Sequence, residues 1–394
     1  MNYKLIFPLI LPLLVSFQTL ENKEYLMHKW EELLSSYKIP AKTQSFCFDN
    51  GTEIFGKNIH QRMKPASVSK LYTTYWAISK LGPDFQFPTY FYLKDKTLYI
   101  QGGGDPFFVT ENFFSVMSTL NQLGIRSLEK IIIHHDFAYN WTKNQTSIIK
   151  NIRQVFNTAS WDQMTKKTFQ EMNQILLKND LSPLKSLQFS VAKISFGEFH
   201  FDNPSFIHLS SPIKSHLKQV NIYSNNFYSD ELFTFLGGPN AFADFILQEL
   251  NETRDTILFE TGSGLGDNYT TCATTLKLLS KLENLIFQYG DQLHDYISLA
   301  GMDQGTLASR FKTQGTRTVI AKTGTLRDTT ALAGYLGQES HKFVILNHGY
   351  NLAAQRVLQD ELILEAIRLY HPTSFHDYLV EDYVSVLASS IIVY

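Results

Sequence analysis

Strand-forming residues stand at two distant places in this chain of 394 residues, and neither set makes a stable sheet alone. Near the start, Ser45-Phe46-Cys47-Phe48 and Thr52-Glu53-Ile54-Phe55 flank Asp49-Asn50-Gly51. An Asn-Gly between short apolar runs predicts a hairpin. Near the end, three strand patterns follow one another at 317–325, 331–337 and 342–349. Two strands alone are marginal in water. Joined, the two sets make one five-stranded antiparallel sheet, an α/β (α+β) arrangement flanked by helices. Helical spacing supplies those helices: Leu26, Trp30, Leu33 and Leu34 within 22–38, then Val68, Leu71, Tyr72, Tyr75 and Ile78 ahead of the Gly82-Pro83 stop, and a last helix over 353–370. The sheet domain is therefore discontinuous, 21–84 and 211–375. An inserted accessory domain covers 85–210, and a tail runs over 376–394.

The first twenty residues are of another kind. Lys4 precedes an apolar run from Leu5 to Val15, shorter than the roughly 20 residues that span a bilayer. A basic start and a short apolar core read as a secretory signal peptide over 1–20, with an uncleaved anchor as the alternative. Export to the periplasm or cell envelope is the expectation. Lys+Arg 35 against Asp+Glu 37 leaves a net charge of −2, with no basic excess for nucleic acid. Hydrophobic residues at 44% and charged residues at 18% rule out wholesale disorder. Two cysteines, Cys47 and Cys272, make neither a disulfide-rich scaffold nor a four-cysteine zinc site; whether they pair stays open. His134-His135-Asp136 reads as a strand end, because adjacent histidines on a strand point to opposite faces. No metal or organic cofactor is expected. The tail carries Glu381 and Asp382 among Val, Leu and Ile. It lacks the Lys/Arg face of a membrane-surface helix and is expected to pack on the sheet.

Ser67-Val68-Ser69-Lys70 opens an apolar helix, so Ser67 Oγ and Lys70 Nζ can share a face. A serine becomes a nucleophile when a neighbouring base takes its proton, and a lysine can serve once its charge is suppressed. By itself the pattern decides nothing, since the chain holds nine Ser-x-x-Lys strings. Two rarer strings give it weight. Ser224-Asn225-Asn226 is the single Ser-x-Asn and breaks a helical region; Lys322-Thr323-Gly324 is the single Lys-Thr-Gly and lies in a strand pattern ending at Thr325. In that order, on those element types, the three strings form the signature of the penicillin-interacting serine enzymes.

With these motifs and their surroundings the chain resembles the class C low-molecular-mass penicillin-binding proteins, the D-alanyl-D-alanine carboxypeptidase/endopeptidase family. Pro65-Ala66-Ser67, Leu81-Gly82-Pro83-Asp84-Phe85, Gly103-Gly104-Asp105-Pro106, Gly262-Ser263-Gly264-Leu265, Ala300-Gly301-Met302-Asp303, Gly305-Thr306-Leu307 and Leu332-Ala333-Gly334-Tyr335 match its pattern. Thr261 stands where the family usually has aspartate, and Tyr223 where it often has lysine. The resemblance implies the penicillin-binding/β-lactamase-like transpeptidase fold, with Ser67 as nucleophile, Lys70 as its base and Ser224 as proton relay. Asn226, Lys322, Thr323, Gly324 and Thr325 would bind substrate, and the backbone N–H groups of Ser67 and Thr325 would form the oxyanion hole. Ser67 and Ser224 are 157 residues apart and Ser224 and Lys322 are 98 apart. That first gap exceeds the β-lactamases' and is shorter than the family's, so the accessory domain is reduced. The class A β-lactamase string Glu-x-x-Leu-Asn is absent.

The expected activity is serine-type D-Ala-D-Ala carboxypeptidase and/or DD-endopeptidase action on peptidoglycan muropeptides through a Ser67 acyl-enzyme, with β-lactams as covalent inhibitors. Burial and the like charge of Lys322 would suppress the charge on Lys70. The rival readings are a β-lactamase or esterase of the same superfamily, and a catalytically silent wall-binding scaffold.

Overall fold

The computed structural model describes residues 7–312, 314–380 and 382–394, with side chains from residue 21 onward. The expected signal peptide falls there: residues 1–6 and the side chains of 7–20 lie outside the described residues. The backbone of 7–20 continues the first helix, which runs Phe7–Ser36. No helix among the described residues is long and apolar enough to cross a membrane.

In chain order the strands are β1 Gln44–Asp49, β2 Ile54–Lys57, β3 Pro88–Lys94, β4 Thr97–Gly102, β5 Ser127–Ile133, β6 Ser190–Phe196, β7 Phe206–Leu209, β8 Val319–Leu326, β9 Thr329–Leu336, β10 His341–His348 and β11 Ser390–Val393. The chain forms two compact units. One comprises residues up to Trp76, Asn221–Ser224 and Gly237–Leu379; the other comprises Ala77–Val220, Asn225–Leu236 and Val380–Tyr394.

The first unit holds the expected five-stranded antiparallel sheet, in the order β2-β1-β10-β9-β8. The turn between β1 and β2 is set by Asn50, whose Oδ1 accepts from the N–H groups of Thr52 and Glu53, each at 2.9 Å. Hairpin and late strands meet where β1 lies along β10, Phe46 opposite Ile345. Every residue of β9 is buried, as expected of a strand covered on both faces. One face packs Leu26, Trp30, Leu33 and Leu34 of the first helix and Leu358, Leu362 and Ile363 of the helix Leu352–Tyr370 against Phe46, Leu332, Phe343 and Ile345. Each fully buried side chain of this size stabilises by roughly 1.5–3 kcal/mol. The helix Cys272–Gln288 lies against β1 and β10. Its first residue forms a disulfide with Cys47, the two Cα atoms 6.0 Å apart.

The second unit is built on a six-stranded sheet of order β11-β7-β3-β4-β5-β6. β4–β5 and β5–β6 are parallel and the other pairs antiparallel. Parallel neighbours need crossover connections, which the helices Thr110–Gln122, Gln145–Phe156 and Gln163–Lys178 provide. They bury Phe113, Met117, Ile152 and Met172 against Phe91, Leu98, Ile131 and Ile194. The unit is wider than the stretch 85–210, because it takes in the helix Asn226–Phe235 and the tail. The tail does join a sheet, though not the five-stranded one: β11 pairs with β7.

The histidine pair stands at a strand end, as expected, but its rings do not point to opposite faces. β5 ends at Ile133, so strand alternation no longer governs the next two residues, and both face Glu198. His134 Nε2 lies 2.9 Å from Glu198 Oε2, and His135 Nε2 lies 3.6 Å from Oε1. His134 Nδ1 is 2.7 Å from Asp136 Oδ1.

Asp105 is a buried carboxyl in this unit. Its Oδ1 accepts from Phe107 N–H at 2.8 Å, and Oδ2 has no hydrogen-bond partner among the described residues. Burial pushes its pKa up to about 7, against about 3.9 for an unfolded aspartate. Its contribution to stability is therefore fully present below about pH 4 and is lost as pH rises through about 7. Asp105→Asn has no such titration and should gain about 2–3 kcal/mol on the wild type between pH 5 and pH 8. Buried His208 and His216, held down to about 4 and about 3 by desolvation, act in both proteins and cancel in the difference. Urea unfolding of both proteins at the two pH values measures the gap; a gap independent of pH means that Asp105 is ionised in the native unit throughout.

Candidate active site

Ser67 sits on a single 3-10 turn, Ala66–Val68, that runs into the helix Ser69–Leu81. Ala66 just before it has φ 48°, a left-handed conformation that costs a non-glycine residue about 1–3 kcal/mol and persists only when its surroundings impose it. The imposing neighbours are two close backbone approaches. Gly264, at φ +88°, crosses so near that a Cβ there would lie 2.0 Å from the Ala66 carbonyl oxygen. On β8, a Cβ at Gly324 would lie 2.8 Å from the Pro65 carbonyl oxygen and 3.0 Å from Ala66 Cβ. The glycine of Lys-Thr-Gly thus lets the edge strand of the sheet run against the turn that carries Ser67.

Ser67 is half-buried, whereas Lys70, one helical turn on, is fully buried. Lys70 Nζ lies 3.1 Å from Ser67 Oγ and donates to the Ser263 carbonyl at 3.1 Å. The segment around Ser263 is fastened along the same helix. Thr73 Oγ1 donates to the Gly262 carbonyl at 3.1 Å, and Asn268 Nδ2 donates to Ser69 Oγ at 3.2 Å.

Lys322 is fully buried as well, its Nζ donating to the Thr323 carbonyl at 3.0 Å. Burial, and then the neighbouring Lys70 cation, hold its pKa well below the ordinary lysine value. Thr323 is half-buried and Thr325 exposed, so the outer end of the motif is open to solvent.

The second motif is tied to both of the others. Asn221 Nδ2 donates to Thr74 Oγ1 on the helix Ser69–Leu81 and to the Tyr296 carbonyl, each at 3.0 Å. One residue on, the Ile222 carbonyl accepts from Thr306 Oγ1 at 3.4 Å, and Thr306 Oγ1 accepts from Thr323 Oγ1 at 2.8 Å. Ser224 follows, half-buried, with φ 58°. It separates the helices Ile213–Tyr223 and Asn226–Phe235, the latter capped by Asn225 accepting from Tyr228 N–H at 3.0 Å. Tyr223 is exposed, its hydroxyl donating to Gln304 Oε1 at 3.3 Å. Asn226 is exposed and belongs to the unit with the six-stranded sheet. Ser67, Lys70, Ser224, Lys322, Thr323, Gly324 and Thr325 all lie in the other.

Asn221 and Arg356 escaped the motif reading, and Ser263 and Thr306 stood in matching strings without a role. Ser263 acts through its carbonyl, which any residue would supply. Asn221 and Thr306 are polar links whose partners lie far off in sequence. Arg356 donates from Nη2 to Thr325 Oγ1 at 3.1 Å from a helix whose exposed positions carry no pattern of their own. Among the described residues no group of three or more His, Cys, Asp or Glu is placed to hold a metal ion.

A five-stranded antiparallel sheet with a serine and a lysine at the head of a helix, set against its Lys-Thr-Gly edge strand, is the penicillin-binding/β-lactamase-like fold. The chain belongs to the D-Ala-D-Ala carboxypeptidase 3 (S13) family, whose model matches residues 40–164 and 202–366. Penicillin-sensitive carboxypeptidase A of Dictyostelium discoideum is 30% identical over 149 residues, which is 34% of this chain but only 28% of that protein's length. Among solved structures, a predatory endopeptidase of Bdellovibrio bacteriovorus, acylated by penicillin G and in complex with an immunity protein, aligns with TM-score 0.76. It is 23% identical, over 88% of this chain and 99% of that one. Penicillin binding protein 4 of Haemophilus influenzae aligns with TM-score 0.58 at 18% identity, over 84% of this chain and 99% of that one. At these identities the two structures speak for the fold.

Proposed function

We propose that this chain is an exported serine peptidase that cleaves the terminal D-alanyl-D-alanine bond, or the D-alanyl cross-link, of peptidoglycan peptides. The observation that carries the reading is the fully buried Lys70 with Nζ 3.1 Å from Ser67 Oγ, facing a second buried lysine on β8. A buried lysine beside another cation gains little by keeping its proton, which suits it to accept one.

Lys70 takes the Ser67 hydroxyl proton as Oγ attacks the carbonyl carbon of the penultimate D-alanine. The backbone N–H groups of Ser67 and Thr325 receive the developing oxyanion, a donor of this kind being worth about 3–4 kcal/mol in acyl transfer. Ser224 takes the proton from Lys70 and passes its own to the departing amine nitrogen as the C–N bond breaks, which leaves Lys70 neutral again, and Asn226 orients the substrate amide. Thr323 and Thr325, with Lys322, hold the terminal carboxylate. Water then adds to the acyl carbon, again with Lys70 as base, and returns Ser67 to its hydroxyl form. β-Lactams would open on the same serine and remain as the ester. The Cys47–Cys272 disulfide supports an oxidising compartment, in line with the apolar leader.

Purified protein incubated with pentapeptide and cross-linked muropeptides should release D-alanine or the monomers, and a labelled penicillin should add at one site, Ser67. Peptide mapping by mass spectrometry locates the adduct. An adduct on another serine, or undiminished labelling of Ser67→Ala, would overturn the assignment. Rapid turnover of the penicillin would favour a β-lactamase, and no labelling at all a silent scaffold.

A further inference from the structure

A cavity of about 460 Å³ opens in the first unit, and none of the motif residues lines it. Four pieces of chain enclose it: the last turn of the helix Cys272–Gln288, the single 3-10 turn Leu293–Asp295, the bend between β9 and β10, and residues 375–378. Leu336, which ends β9, lies opposite Val319 at the start of β8. The cavity therefore sits beyond the start of β8, and the Lys-Thr-Gly stretch lies roughly 10–20 Å further along at about 3.3 Å per residue.

Its walls are held by the protein itself. Arg317 Nη1 donates to the carbonyls of Phe375, His376 and Tyr378 at 3.2, 2.9 and 2.9 Å. The Tyr378 hydroxyl donates to Oδ1 of buried Asp303 at 2.7 Å, and Gln338 Nε2 donates to the Ser374 carbonyl at 3.0 Å. The Gln292 N–H donates to Asp295 Oδ2 at 2.9 Å, which closes the 3-10 turn. Walls fixed before a ligand arrives cost it little ordering entropy.

The lining selects a class of ligand. Phe287, which is 46% exposed, joins Phe375 and Tyr378 in the wall. Gln292, Gln338 and Ser340 line it as well, and each of these side chains both donates and accepts hydrogen bonds. Among the described residues Asp377 is the one carboxylate that lines the cavity, and no lysine or arginine does. An anion would find no counter-charge there, and a cation would meet a single exposed carboxylate, a pairing worth little in water. A sugar ring meets the lining on both counts. Its C–H edges suit the negative faces of aromatic rings, and its hydroxyl and acetamido groups suit the amides and the hydroxyl.

We infer that this cavity binds a neutral glycan of N-acetylated sugars, and that the enzyme uses it to hold the glycan strand of the polymer whose peptides it cuts. The holding role rests on the peptidase reading above; the binding itself is tested without it.

Tetra-N-acetylchitotetraose is titrated calorimetrically into the full chain and into Phe287→Ala, Gln292→Ala and Asp377→Asn, with cadaverine as the cationic control. The wild type should bind the tetrasaccharide saturably and ignore cadaverine. Phe287→Ala should weaken binding at least about fivefold and Gln292→Ala at least about threefold, whereas Asp377→Asn should stay within about twofold. The ratio of activity on intact sacculi to activity on a soluble pentapeptide should fall about tenfold or more in Phe287→Ala, the low side of the about 10²–10⁴ that a second linked contact adds. That ratio does not depend on the fraction of enzyme that is folded. No saturable tetrasaccharide binding, binding undiminished in Phe287→Ala, or cadaverine binding that Asp377→Asn abolishes overturns the site. A sacculus ratio unchanged in Phe287→Ala overturns the holding role. Penicillin labelling and pentapeptide hydrolysis by the wild type are run alongside: their absence sinks the peptidase reading and the holding role with it, and leaves glycan binding to be decided by the titration.

Discussion

Replacing Lys70 by arginine should slow acylation of Ser67 by a chromogenic β-lactam at least about a hundredfold, the lower end of what general-base catalysis supplies. The geometry isolates the effect. Lys70 Nζ is 3.1 Å from Ser67 Oγ and anchored at the Ser263 carbonyl, so the nitrogen is already in proton-transfer range. Arginine keeps the charge and much of the reach but cannot give up its proton. Nothing then accepts the hydroxyl proton as the Oγ–C bond forms. The wild-type rate should rise with pH as the neutral base is populated, and the rate of the arginine variant should lose that dependence. Stopped-flow acylation from pH 5 to pH 10 on both proteins decides it. A rate within tenfold of wild type and an unchanged pH profile would remove Lys70 from the role of base. Arginine is bulkier in a fully buried site, so Lys70→Met serves as a second variant: it too should acylate at least a hundredfold slower if the missing base is the cause.

Opening the Cys47–Cys272 disulfide should be the largest single loss of stability. The bond joins β1 to the head of the helix Cys272–Gln288 across a sequence separation of 225 residues. For a loop that long the chain-entropy model allows about 5 kcal/mol, and removal of native disulfides typically costs about 2–5 kcal/mol. Domains of this size shift by roughly 2–4 °C per kcal/mol, so Cys47→Ala/Cys272→Ala should lower the thermal midpoint on the order of 10 °C. Ser67 and Lys70 make no contact with the sulfurs, so penicillin labelling of Ser67 at low temperature should persist. Calorimetry of the variant, and of wild type with and without reductant, gives the shift. An unmoved midpoint once thiol titration confirms reduction would show that the bond does not stabilise this unit.

The two halves of the five-stranded sheet were legible because each carries its own local signal. Asn50-Gly51 is a turn wherever it occurs between apolar runs, and the late strands alternate as strands do. A hairpin that is marginal alone must find a partner, and the late strands were the available one; β1 does lie along β10. The three motif strings were legible for a similar reason, since Ser67, Lys70, Ser224 and Lys322 each sit at the head of a helix, at a helix break or on a strand as their local patterns predict. The second unit was less so. Its six strands are short, and their order β11-β7-β3-β4-β5-β6 sends the last strand of the chain to the edge beside β7. Periodicity says that a segment is a strand and not which edge it joins, which is why the tail was expected on the wrong sheet.

Sequence by itself determined the helix that presents Ser67 and Lys70, the strand that carries Lys322 to Thr325 and the break at Ser224, because turn chemistry and side-chain period act within a few residues. Only the tertiary structure decided that Cys47 meets Cys272, that His134 and His135 both face Glu198, that the Ser263 carbonyl receives Lys70, and that Arg356 reaches Thr325. Each of these joins groups far apart along the chain, or turns on a backbone atom that every residue shares. Such contacts leave no local mark, since they exist only once burial of the two cores has brought the segments together.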